Sequence, residues 1–366
     1  MIGSIGVRSG PIGAVLAPIE HGARAWAADA NARGGLNGHP VRVVFGDDGG
    51  DPNKAVSLVR RMIDQDKAVA FFADQAPGTL HSIMPLLEKA QIPIFPVCNC
   101  SIGADGRHPM TFNVIFGGDL GMVWSHFLPA VVLSDKKKVS VFCAREVPVP
   151  CQIRDKIKEI APQYGRQVVH SAEVSITQPD YTAEVLAAKN AGAEVLVVAV
   201  DNATTIRIIR SAHRQGYEPL ISSQFSAHDA RFLQTGGQDV EGVLSGAMTP
   251  HWESPKMADY RNAMARYVPN GILGSGSGGA YVTGKLMEVV GKTFPAGPVA
   301  SSDFLNGLYS LKGETLGGLV PPLTYKPGEN HDLANLCNYP TKIQGGKFVQ
   351  QSDTYACPPG WTPVKP

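Results

Sequence analysis

The chain has 366 residues, with 33 Lys and Arg against 32 Asp and Glu, a formal net charge of +1. That length sets a prior of two ordinary domains or one large one, with enough core to fold without staples. Near-cancelling charge, with no basic stripe or polybasic run, argues against nucleic acid or a membrane surface as partner; a charged fraction of 18% with 40 glycines fits a compact α/β chain, not a disordered or coiled-coil one.

The chain opens on MIGSIG, which reads as a first strand. No secretory leader precedes it, so an exported protein is expected to have lost a signal peptide or lipoprotein anchor before Met1. A long amphipathic helix follows over 13–35, with Ile19, Ala23, Ala27 and Ala30 on one face and Gly34-Gly35 as its stop. VRVVFGDD (41–48) is a strand ending in acids. The next helix, 51–65, starts with Asp51 as N-cap and Pro52 just inside. Strand 68–73, helix 77–91 and strand 92–97 complete the first run. The same alternation restarts near 120: helix 120–133, strand 138–144, helix 151–165, strand 167–174, helix 181–192, strand 193–200, helix 202–216 and strand 219–224. A strand is predicted at 243–248, and helices at 254–267, 277–292 and 301–311. A turn-rich connector, 321–332, leads to a hairpin around Gly345-Gly346 and a Pro-rich tail. Buried hydrophobic strands between helices mean parallel sheets covered on both faces, and two such runs mean two doubly wound lobes. No stretch of 18 or more consecutive apolar residues predicts a membrane span.

Six cysteines, Cys98, Cys100, Cys143, Cys151, Cys337 and Cys357, form neither a CxxC motif nor zinc-ribbon spacing, so a structural zinc site is not expected.

In combination, Ser9-Gly10-Pro11, the run Asn31-Ala32-Arg33-Gly34-Gly35-Leu36-Asn37-Gly38, and Asp47-Asp48 followed by Asp51-Pro52 resemble the opening of the type I periplasmic solute-binding proteins of ABC importers. The branch is that of branched-chain amino-acid (Leu/Ile/Val) binding proteins. The resemblance spans most of the chain and weakens after about residue 250. It implies two Rossmann-like lobes with parallel central sheets joined by a three-segment hinge, crossing near Phe112–Gly117, Leu244–Thr249 and Pro321–His331. The lobes are then residues 1–116 plus 249–325 and 117–248 plus 326–366. It implies a small-molecule ligand held in the cleft between closing lobes and delivery to membrane permease subunits. The protein is then expected in the periplasm or at the cell surface, as a monomer without cofactor, metal or catalytic residues.

In such sheets ligands bind beyond the carboxyl ends of the strands. The loop ending in Gln75, Ala76, Gly78 and Thr79 opens a helix, and the resemblance places the ligand carboxylate there; an ordinary N-cap is the alternative. Thr79→Ala is expected to weaken ligand binding with little loss of stability. Cys98, Asn99 and Cys100 end the next strand and read either as pocket lining or as an inert buried pair. Arg8 is either a bidentate carboxylate partner at the cleft rim or a surface arginine. From the second lobe come Glu146, Asp201 and Asn202 (cap or contact), Gln224 and Phe225. In amino-acid-binding members an acid near the position of Gln224 pairs with the ligand ammonium. Its replacement favours an aromatic or aliphatic carboxylate or an amide, unless Asp74, Glu146, Asp201 or Asp229 compensates. Cys337 and Cys357 could bridge the hairpin to the tail, and Cys143 and Cys151 could also pair.

Two other functions compete with this reading. Gly274, Gly276 and Gly279 fit G-x-G-x-x-G, but no clear strand precedes them and no acid follows at the right distance, so a flexible turn before a helix is preferred to an NAD(P)-dependent enzyme. A ligand-sensing receptor domain of the same fold is the other.

Overall fold

In the computed structural model the chain divides into two compact units, Met1–Gly121 with Trp252–Leu336 and Trp361–Pro366, and Met122–His251 with Cys337–Gly360. The structure describes residues 1–74, 79–97, 108–115, 117–146, 148–329, 331 and 334–363, with residues 11, 73, 74 and 119 described by their backbone alone. Each crossing falls later in the chain than the sequence suggests, and residues from Trp361 onward return to the first unit.

The first unit opens with β1 (Ile2–Gly6), α1 (Gly10–Ala32), β2 (Val43–Asp47), α2 (Pro52–Asp64), β3 (Ala70–Asp74), α3 (Leu80–Ala90) and β4 (Ile94–Pro96). Its sheet runs β2-β1-β3-β4, every pair parallel. Ile5, Phe71, Phe72, Ile94 and Phe95 are sealed from solvent, as strands covered on both faces require. Local chemistry sets the helix ends. The Asp51 carboxylate accepts the N–H groups of Asn53 and Lys54, and Pro52 opens α2 where its missing N–H costs nothing. Ala55, Val59 and Met62 then return every three or four residues to the buried face. α1 starts three residues before the predicted position, because Ser9 is its N-cap and a proline lies in its first turn. Gly34 and Gly35 take φ of 98° and 77° and end it.

The second unit begins within α4 (Gly118–Val132) and continues through β5 (Lys138–Ala144), α5 (Pro148–Ile160), β6 (Gln167–Val174), α6 (Thr182–Asn190), β7 (Val195–Ala199), α7 (Asn202–Arg214), β8 (Leu220–Ser223), α8 (Ala230–Gly236) and β9 (Leu244–Ala247). The helix predicted over 151–165 starts at Pro148, and its last turn is a tighter 3-10 segment, Ala161–Tyr164. α8 has no counterpart in the sequence reading: seven residues show no helical period. Asp229 caps it by accepting the Arg231 N–H.

The chain returns to the first unit with α9 (Ala258–Tyr267), α10 (Ser275–Gly291) and α11 (Ser301–Tyr309). α10 packs along α1, and the glycine-rich GSGSGG motif is its buried first turn. That corrects the expectation of a flexible turn: the small residues let two backbones approach. A Cβ on Gly22 would lie 2.0 Å from the Ser277 carbonyl oxygen, and one on Gly284 2.3 Å from the Trp26 ring. The motif is therefore helical and faces α1, with the closest approach where its Ser277 backbone meets Gly22. Polar contacts close the same seam. Trp26 Nε1 donates to Glu288 (3.0 Å), and Arg33 pairs with Glu288 (2.8 Å) and Asp29 (2.9 Å).

Finally β10 (Tyr339–Gln344) and β11 (Lys347–Gln350) form the predicted hairpin in the second unit. Gly345 and Gly346 have φ of 60° and 70°, the positive values that a tight two-residue hairpin turn needs. The sheet order is β11-β10-β9-β8-β7-β5-β6, parallel from β6 to β9 and antiparallel through the hairpin. No helix among the described residues is long and apolar enough to cross a membrane.

Candidate functional site

Strand order locates where each unit can bind. In the first unit β1 has β2 on one side and β3 on the other; in the second, β5 lies between β6 and β7. The chain therefore leaves neighbouring strands in opposite directions there, opening a crevice beyond their carboxyl ends.

In the first unit those ends present Arg8, Asp48 and Thr79. Arg8 is not the surface arginine that was the alternative reading: it is held inside the first unit. All three guanidinium nitrogens donate within the unit: Nη1 to Glu20 (2.7 Å), Nη2 to Ser4 Oγ (2.7 Å) and Nε to the Gly46 carbonyl (3.1 Å). The side chain is 11% exposed, and the guanidinium lies 4.8 Å from the Phe45 ring. Burial pushes the Glu20 carboxyl up, but Arg8 and Arg24 outweigh it and hold the pKa below the usual value.

Thr79 is the N-cap residue of α3, yet its hydroxyl makes no cap bond. It donates instead to the carboxylate of Asp48 (2.7 Å), and both residues are buried. Asp48 also accepts the Gly50 N–H (2.8 Å). Asp48 was missed because its partner, at the start of α3, lies 31 residues further along the chain; its place just after β2 was the available signal. This corrects the expectation that Thr79→Ala leaves stability intact. Removing the hydroxyl strips a buried carboxylate of a donor, and we expect a loss of about 1–3 kcal/mol, read as a lower urea midpoint. An unchanged midpoint would mean that water replaces the hydroxyl. Gln75, Ala76, Gly78, Cys98, Asn99 and Cys100 lie outside the described residues.

In the second unit the five expected residues follow three neighbouring strands, β5, β7 and β8. Asn202 begins α7 after β7, and its Nδ2 donates to the Ser226 carbonyl (2.9 Å) after β8. Gln224 Nε2 crosses the other way to the Val200 carbonyl (3.2 Å). Phe225 is buried beside them in sequence. Asp201 resolves to the cap: its carboxylate accepts Ala203 N–H (2.9 Å), Thr204 N–H (3.1 Å) and the Thr204 hydroxyl (2.5 Å). Glu146, after β5, is exposed and accepts from the Ser175 hydroxyl (2.5 Å) and the Ile176 N–H (3.2 Å). Slight burial raises its pKa, but these bonds more than offset that and leave it below the usual value. Asp229 is paired with Arg231 (2.6 Å). Of the four acids offered as an ammonium partner, three therefore have other work, and the side chain of Asp74 lies outside the described residues.

Cys143 on β5 bonds to Cys151 in the first turns of α5, spanning the loop that carries Glu146. Glu173 completes a trio of donor atoms within 4.8 Å, but the joined sulfurs are not thiolates and cannot ligate a metal as such. Cys337 bonds to Cys357.

Comparison with known proteins bears on both units. The periplasmic binding protein family matches residues 1–347. An "Amino acid binding protein" of Pseudomonas aeruginosa is 25% identical over 240 residues, 61% of this chain and 60% of that protein, so the chain spans well under two thirds of that relative. Among solved structures, a branched-chain amino-acid ABC transporter protein from Thermus thermophilus with bound valine superposes with a TM-score of 0.82 at 17% identity, covering 98% of this chain and 96% of the other. A solute-binding protein from R. palustris in complex with benzoate gives 0.76 at 14% identity, covering 98% and 97%. At such identities these two establish the shared fold.

Proposed function

We propose a function from one established premise: this chain belongs to the periplasmic binding protein family. The protein is an extracytoplasmic solute-binding protein of an ABC importer. It captures a small carboxylate-bearing ligand with both lobes and hands it to the membrane permease without chemical change. Cys143–Cys151 and Cys337–Cys357 suit an oxidising compartment such as the periplasm or the cell surface. With the Thr79 hydroxyl held by Asp48, the backbone N–H groups at the start of α3 would hold the ligand's polar head from the first lobe; Asn202, Gln224 and Phe225 would close from the second. Contacts made only on closure shift the population toward the closed form that the permease reads.

One observation supports the choice of ligand: Glu146, Asp201 and Asp229, acids that could meet an α-ammonium, are bonded elsewhere. The resemblance adds that Gln224 takes the position where amino-acid-binding members carry an acid. A buried ammonium without a carboxylate is costly. The ligand class is therefore an aromatic or aliphatic carboxylate, or an amide, lacking an ammonium group.

A thermal-shift screen tests this. At 100 times its dissociation constant a ligand stabilises the fold by about 2.7 kcal/mol. Benzoate-like carboxylates are expected to raise the midpoint, and leucine and valine to leave it in place. Gln224→Ala should weaken the carboxylate response about tenfold, the effect of about 1.4 kcal/mol. A midpoint raised by leucine or valine alone would overturn the ligand class while leaving the transport role standing.

A further inference from the structure

Three side chains in the first unit share an arrangement outside the proposed ligand contacts. His81 lies in the first turn of α3 and Glu88 two turns later on the same helix. His108 reaches them from the segment before Thr111. Its Nδ1 is 2.8 Å from Glu88 Oε1, and its Nε2 is 3.2 Å from His81 Nδ1. Glu88 thus fixes the tautomer: Nδ1 of His108 carries the proton, and the Nε2 lone pair is aimed at His81.

We propose that His81 and His108 form a divalent transition-metal site, with His81 Nδ1 and His108 Nε2 as ligands and Glu88 as the carboxylate that orients His108. Imidazole nitrogens bind zinc at about 2.0–2.1 Å. Two such bonds across a 3.2 Å gap meet at about 100°, close to tetrahedral. The ion takes the place of the proton between the rings. His81 keeps that proton on its other nitrogen, so no proton need be released. Water fills the remaining positions.

The frame is built before the ion arrives. His81 is held by the helix. His108 is held by its carbonyl, which accepts the Thr111 N–H (2.9 Å), and by the Ile94 N–H to Met110 carbonyl bond (2.8 Å) beside β4. A carboxylate on the outer nitrogen is the usual second partner of a metal-bound histidine. Burial, and next the neighbouring His108, hold the His81 pKa below its ordinary value, which favours the neutral ring that a metal needs. The site is open to solvent, with the side chain of His108 24% exposed and that of Glu88 34%. A second histidine pair among the described residues, His228 and His251 (3.0 Å), differs here: His228 is buried and packs against the Phe348 ring.

Calorimetric titration of zinc chloride into chelator-treated full-length protein tests the proposal. We expect one saturable site of micromolar affinity. His81→Ala and His108→Ala should abolish it, and Glu88→Gln should weaken it about 10–100-fold. His81→Gln, which keeps a polar group beside His108 while removing the imidazole, should also abolish it and guards against loss by misfolding. Circular dichroism checks that each variant folds. No saturable binding by the parent protein, or isotherms unchanged in folded histidine variants, would overturn the assignment.

Discussion

Gly22→Ala is expected to destabilise the first unit by about 3 kcal/mol, the upper end of the usual cost of overpacking. Alanine is the better helix former by about 1 kcal/mol, so propensity alone predicts the opposite sign. Sterics decide. The added Cβ falls 2.0 Å from the Ser277 carbonyl oxygen and 2.7 Å from its carbonyl carbon, both backbone atoms of the facing helix. They cannot rotate aside, so α1 and α10 must separate along their length. That separation loosens Trp26 from Gly284 and strains the contacts of Glu288 with Trp26 and Arg33. Gly276→Ala is the internal control. Its Cβ would meet the Ile19 side chain at 3.3 Å, a contact that a small rotation relieves, so the change should be nearly neutral. Hydrogen exchange by mass spectrometry on peptides from the two helices, beside a urea melt, reads both variants. Equal protection in Gly22→Ala and the parent protein would show that the seam tolerates a methyl group.

That seam also marks how far the sequence could be read. Features fixed by neighbours in the chain were legible. Asp51-Pro52 and Asp201 announced helix starts, the VLVVA of β7 announced a buried strand, and Gly345-Gly346 announced the hairpin. Features fixed by distant partners were not. GSGSGG looked like a turn because Gly22, whose close approach its Ser277 backbone meets, is some 250 residues away. Arg8 looked available because Glu20 and Gly46 meet it only after folding. Thr79 looked like a cap or a ligand contact because Asp48, just after β2, is 31 residues away in the chain. In each case the residue type was right for a polar role and the fold supplied an internal partner. The placement of the second-lobe residues was legible. Asn202, Gln224 and Phe225 lie directly after consecutive parallel strands, and strand order alone brings such positions together.

Loss of the Cys337–Cys357 bridge is expected to cost about 3 kcal/mol, by the chain-entropy estimate for its loop. The bridged residues are 20 apart in sequence, against 8 for Cys143–Cys151, whose loss should cost somewhat less, about 2.5 kcal/mol. Packing makes the first loss harder to absorb. Beyond the bridge the tail is held to the sheet by the pair of bonds between Asn338 and Ala356 (2.9 and 2.8 Å) and by the edge-on contact of Tyr339 with Tyr355. With the bridge cut, two backbone bonds must order a tail that includes a proline-rich turn, against about 1–2 kcal/mol of backbone entropy per residue. The tail should therefore detach before the second unit unfolds, leaving the hairpin edge more open to exchange. A Cys337→Ser, Cys357→Ser double variant, followed by urea denaturation and hydrogen exchange of the peptides over 337–357, measures both effects. If the midpoint holds and Ala356 stays protected, the strand-like pairing anchors the tail by itself and the disulfide contributes little to the native state. If protection collapses while the parallel strands keep theirs, the bridge is what joins the tail to the sheet, and reduction of the protein in a thiol-rich compartment would expose the same edge.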